Sequence, residues 1–125
     1  WDVNISLEKE HVSNLVKAKS ALAEIDNMVI STEPDLDGTT VCKFTFGDEH
    51  GHNNKITYQL YGDIKEGTKI LLPFNSNQFR NILNVNKDLD SGTLRISSKG
   101  LMKLEFKSTD TLSEYYLIRK ESTNF

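Results

Sequence analysis

The chain has 125 residues, enough for one domain that buries roughly two-thirds of the surface its unfolded form exposes. Hydrophobic residues at 37% and charged residues at 26% argue against a disordered segment, and no apolar run approaches the ~18 residues of a membrane-spanning helix. Fifteen Lys and Arg against 18 Asp and Glu leave a charge of −3, which argues against a free-standing, charge-driven nucleic-acid binder but leaves room for a local basic face.

Trp1-Asp2-Val3 is not the charged start of a signal peptide. A chain that opens on Trp is expected to be processed or excised, and a C-terminal piece of a longer protein is the preferred expectation. Val3, Ile5 and Leu7 alternate with Asp2, Asn4 and Ser6, the pattern of a strand with one buried face. A helix is expected from Glu8 to Ala23, with Val12, Leu15, Val16 and Leu22 as its apolar stripe and Ser13, Asn14, Lys17 and Ser20 opposite. Lys19 falls inside the stripe and must either snorkel or mark a distortion. His11 has no evident partner.

A strand follows from Ile25 to Thr32, ended by Glu33-Pro34-Asp35 and the turn residues Asp37-Gly38. Cys42, Phe44 and Phe46, then Ile56, Tyr58 and Leu60, alternate with polar residues and read as an antiparallel hairpin around a polar loop, Gly47 to Asn54. Cys42 is the single cysteine; it reads as a small buried hydrophobe in a protein of a reducing compartment.

After the turns at Gly62-Asp63 and Glu66-Gly67 the pattern starts again. Ile70, Leu72 and Phe74 form a strand in which Pro73 suggests an edge or an end, and Asn75 or Ser76 can cap the next helix. Phe79-Arg80-Asn81-Ile82-Leu83 echoes Val12-Ser13-Asn14-Leu15-Val16, 67 residues earlier. Strands around Leu94 and Ile96, around Met102, Leu104 and Phe106, and from Tyr115 to Lys120 complete a second copy of one unit: strand, helix, three strands. The copies run over 1–62 and 68–120 of a single 1–125 domain. Two amphipathic helices related in this way lie on the same side and present their polar faces together. The second face carries Asn77, Arg80, Asn81, Asn84 and Lys87.

Lys and Arg interleaved with Asn and Ser suit phosphate contact without base reading, although a merely solvated helix face has the same composition. About three neutralised phosphates would give a salt slope of only about −2.7, so one such domain holds DNA only in several copies or by surrounding it. Asp48, Glu49, His50 and His52 in GDEHGH read as a polar loop rather than a metal site, and Asp88 and Asp90 as turn residues. Neither a catalytic motif nor a cofactor motif is present, so no enzyme is expected. The end of the chain, with Tyr115-Tyr116-Leu117-Ile118, either supplies one wall of a peptide groove or is alternately core.

The order of elements, with EKEHVSNLVKAKSALAEIDNMVIS and GTLRISSKGLMKLEFKSTDTLSEYYLIRK, resembles one domain of a DNA sliding clamp, the polymerase processivity factor, most closely the C-terminal domain of clamps from T-even-like bacteriophages. The resemblance covers essentially residues 1–120. It implies an α+β DNA-clamp domain, a duplicated β-α-β-β-β unit with two antiparallel sheets outside and two helices on one face. It implies a ring, usually of three subunits, around duplex DNA in the cytoplasm, the host's if the protein is viral. The partners it implies are duplex DNA bound without sequence preference, DNA polymerase, an ATP-driven clamp loader and further clamp subunits, with no cofactor and no membrane. Carried over by position, Ser13, Asn14, Lys17, Arg80, Asn81, Asn84 and Lys87 would face the DNA, while Leu101, Tyr116, Leu117, Ile118 and Arg119 would form this domain's share of the partner groove. The competing expectation is a small α+β protein-interaction domain that never meets DNA.

Overall fold

A computed structural model describes residues 1–47, 55–89 and 91–120. The GDEHGH residues Asp48, Glu49, His50 and His52, and Asp90, lie outside the described residues. The fold is α+β: strands β1 (Val3–Glu8), β2 (Asn27–Pro34), β3 (Thr40–Gly47), β4 (Lys55–Leu60), β5 (Asp63–Ile64), β6 (Leu71–Asn75), β7 (Ser91–Ser97), β8 (Leu101–Lys107) and β9 (Leu112–Ile118), with helices α1 (Lys9–Ser20) and α2 (Ser76–Val85).

The strands make two antiparallel sheets, ordered β5-β1-β7-β8-β9 and β4-β3-β2-β6. Each unit donates its first strand to the other: β1 pairs with β7, and β6 pairs with β2. The registers correspond. The residue that caps each helix faces the first residue of the partner strand, Glu8 opposite Ser91 and Asn75 opposite Asn27. α1 begins directly after β1 and carries the chain across the core, so that β2 enters the other sheet.

Each unit also ends by crossing over. After β4 the chain passes Gly62 and forms β5 against β1, which corrects the expectation of a plain turn at Gly62-Asp63. Gly62 is needed because a Cβ there would sit 2.5 Å from the backbone oxygen of Asn4. After β9, the Lys120 N–H reaches the Pro73 carbonyl on edge strand β6 at 2.9 Å. Pro73 therefore stands on an edge, where its missing N–H costs no ladder bond.

A single core joins both sheets and both helices. Val3, Ile5 and Leu7 meet Leu94, Ile96, Met102 and Leu104 from one sheet, and Met28, Ile30, Phe44, Phe46 and Phe74 from the other. The helices insert Val12, Leu15, Phe79 and Leu83, and Phe79 stacks on Phe44 with ring centroids 6.0 Å apart. Cys42 is buried in the same cluster, and burial pushes its thiol pKa up to about 12, consistent with an inert hydrophobe.

Helix α1 is shorter than the alternation suggested. It stops at Ser20, and residues 21–24 form turns. The first helical turn is closed by a capping box in which the Glu8 N–H donates to His11 Nδ1 at 3.1 Å, so His11 does have a partner. At the other end Lys19, only 2% exposed, bends back and donates to the carbonyls of Leu22 and Ala23 at 3.2 and 3.1 Å. Strand β2 starts two residues later than expected, because the carbonyls of Ile25 and Asp26 accept the Ser76 hydroxyl and N–H. Strand β9 begins earlier, at Leu112, and ends at Ile118 rather than Lys120.

Candidate nucleic-acid interface and partner surface

α1 and α2 pack against each other. On α1 the buried positions are Val12, Leu15 and Lys19; at 100° per residue this turns Ser13, Lys17 and Ser20 away from the core, and all three are exposed. On α2 the buried positions are Ser76, Phe79 and Leu83, which leaves Asn77 and Asn81 exposed and Arg80 and Asn84 half-buried. Helix α2 forms where it does because Asn75 accepts the Gln78 N–H at 2.9 Å and the 3.6-residue spacing of Phe79, Ile82 and Leu83 makes one apolar stripe. Lys87 lies just past its end and is exposed.

The charge on this pair of helices is one-sided. α2 contains no acidic residue, and α1 contains only Glu10, in its first turn. None of the ion pairs among the described residues uses Lys17, Arg80 or Lys87. Arg80 makes one long contact, Nη1 to Asn81 Oδ1 at 3.4 Å. It also lies near enough to Lys19 to act on it: burial first, and the Arg80 charge second, hold the Lys19 ammonium below its ordinary pKa, with Asp26 opposing. Lys19 thus keeps the buried place that helical periodicity gives it, its ammonium answered by carbonyls at the helix end rather than offered outward. Its spacing to the helix end was the only available signal, since a lysine in the last turn can reach the free carbonyls.

Asn14 behaves differently from its neighbours. Its amide donates to the Tyr58 hydroxyl at 3.2 Å and it is half-buried, so it ties α1 to β4 rather than projecting outward. Asn81 has no such tether, being exposed beside Arg80.

The five residues expected at a partner groove divide by strand alternation. Leu117 is 6% exposed and belongs to the core, which corrects its place in the groove. Tyr116 and Ile118 point the other way, at 54% and 77% exposed, with Leu101 directly across from Ile118. Arg119 lays its aliphatic stem over Gly100, whose φ of +104° and lack of a Cβ admit it. Lys103 lies between Glu105 (3.4 Å) and Glu114 (3.7 Å), with its ammonium 5.7 Å from the Tyr116 ring centre.

Among the described residues no group of three or more His, Cys, Asp or Glu is placed to hold a metal ion, and no helix is long and apolar enough to cross a membrane. Comparison with family models and with curated proteins finds no match for the chain.

Proposed function

We propose that the chain is a sliding-clamp domain of a DNA polymerase processivity factor. It would act without catalysis, as part of a ring that encircles duplex DNA and tethers a polymerase. One observation carries the reading: two strand-helix-strand units exchange their first strands, and the paired helices this creates bear cations with no carboxylate partner among the described residues. The resemblance of the two strings in the sequence agrees with it.

On this reading Lys17, Arg80 and Lys87 supply charge toward the phosphates, and Ser13, Asn81 and Asn84 supply hydrogen-bonding groups. Few charges give loose contact, which suits a protein that must move along DNA while the ring prevents escape. Tyr116 and Ile118, with Leu101, would receive part of a polymerase segment, and a clamp loader would open the ring. The test is topological. The assembled protein, loaded on nicked circular DNA, should remain bound through a moderate-salt wash and should be lost when the circle is cut once. Equal retention on circular and cut DNA would contradict encirclement, and no retention on either would favour a small interaction domain that never meets DNA.

A further inference from the structure

The face of the five-stranded sheet turned away from the core carries a row of aligned residues. Asn4 of β1, Arg95 of β7, Lys103 of β8 and Tyr116 of β9 are successive cross-strand partners. Arg95 and Lys103 are therefore like charges directly opposite each other, an arrangement that destabilises a sheet unless the charges are answered. Lys103 is answered by Glu105, Glu114 and the Tyr116 ring. Arg95 is not. Its Nε donates to Asn4 Oδ1 at 2.7 Å, a neutral acceptor, and no carboxylate forms an ion pair with it among the described residues, Asp63 standing beyond Asn4 and Glu105 diagonally across on β8.

A guanidinium held through Nε keeps the donors on its terminal nitrogens, the groups that fit a planar carboxylate. On the same face, with Lys103 between them and Arg95, stand the exposed side chains of Tyr116 and Ile118, and the half-buried Leu101 lies diagonally across from Arg95 on β8. Asp63, Glu105 and Glu114 flank the row and would repel the continuous negative charge of a nucleic acid.

We infer that this face receives a peptide with one carboxylate, which pairs with Arg95 while neighbouring apolar side chains of the peptide rest on Leu101, Tyr116 and Ile118. Asn4 is a positioning residue, holding the guanidinium for that contact. The inference rests on the reading of this strand end as a partner surface, and adds to it the chemistry the partner must carry.

The test titrates the ¹⁵N-labelled chain with two capped synthetic peptides, GDSLLFGSGG and GNSLLFGSGG, and with a short DNA duplex, following the Arg95 Nε–H signal and the backbone amides of Tyr116 to Ile118. The acidic peptide should shift both sets and bind about tenfold more tightly than its Asn counterpart, the size expected for one charge-assisted pair. Arg95→Gln should abolish that preference and leave the weaker, apolar binding. Equal binding of both peptides at Tyr116 to Ile118 would overturn the role of Arg95 while leaving the partner surface standing. Absence of shifts there with either peptide at its solubility limit would overturn both, and an Arg95 signal moved by DNA but by neither peptide would overturn the choice of partner.

Discussion

The amide of Asn14 on α1 donates to the hydroxyl of Tyr58 on β4 at 3.2 Å, and Asn86, just past α2, donates in the same way to Tyr115 on β9 at 3.3 Å. Each helix is thus moored to the edge strand of its own unit by an Asn–Tyr pair. Asn86 also donates to the Ile82 carbonyl at 2.8 Å, closing the end of α2 much as Lys19 closes the end of α1. Replacing Tyr58 or Tyr115 by Phe should each cost about 1 kcal/mol in urea unfolding, the usual net worth of one hydrogen bond, with part of that loss shared with Asn14→Ala in a double-mutant cycle. Full additivity of Asn14→Ala and Tyr58→Phe would show that the bond contributes nothing.

Phe79 is the anchor of α2. It is fully buried and stacked on Phe44, so Phe79→Ala should destabilise the domain by about 3–5 kcal/mol and lower the thermal midpoint by many degrees. Arg80→Ala, one residue along but on the outward side, should change stability by less than about 0.5 kcal/mol.

Gly62→Ala tests the crossing from one sheet to the other. The added methyl would meet the Asn4 backbone oxygen at 2.5 Å and Ile5 Cγ1 at 2.8 Å, so β5 must shift off β1. A loss of about 1–3 kcal/mol is expected, with hydrogen exchange accelerated at Val3 and Asn4 before the rest of the sheet.

Lys19 gives a pH dependence with a defined sign. Its pKa in the folded chain lies below the ordinary 10.5 because burial, then Arg80, disfavour its charge. Below the folded value both states hold the proton and the penalty is constant. Between the folded value and 10.5 the unfolded chain still holds a proton that the folded chain has released, so stability rises with pH across that window. Lys19→Met removes this term. Urea unfolding of both proteins across the alkaline range should show the wild type gaining on the variant as pH rises; a constant or falling difference would contradict the burial of a charged Lys19.

Much of this arrangement is legible in the sequence. Alternation at Val3, Ile5 and Leu7 and at Cys42, Phe44 and Phe46 identified inward faces, because a strand half-buried in a sheet has a period of two. The echo of Val12–Val16 in Phe79–Leu83 located both helices, and Asn75 was readable as a cap. The exchange of β1 and β6 was not legible, since local periodicity carries no information about which strand pairs with which. Nor was the diversion of Asn14: on a helical wheel it is one more polar residue, and only the nearby Tyr58 hydroxyl makes it a tether. Leu117 was placed in the groove by resemblance, whereas the alternation of Tyr115 and Leu117 with Tyr116 and Ile118 puts it in the core.

The central claim is that the paired helices meet the DNA backbone. The direct measurement is an NMR titration of the chain with short duplexes of two unrelated sequences at low salt. The claim predicts weak binding indifferent to sequence, with shifts confined to Ser13, Lys17 and Ser20 of α1 and to Arg80, Asn81, Asn84 and Lys87, and a salt slope of about −2.7 that Lys17→Glu with Arg80→Glu removes. Shifts on the sheet faces, or none on the helices under the same conditions, would contradict it.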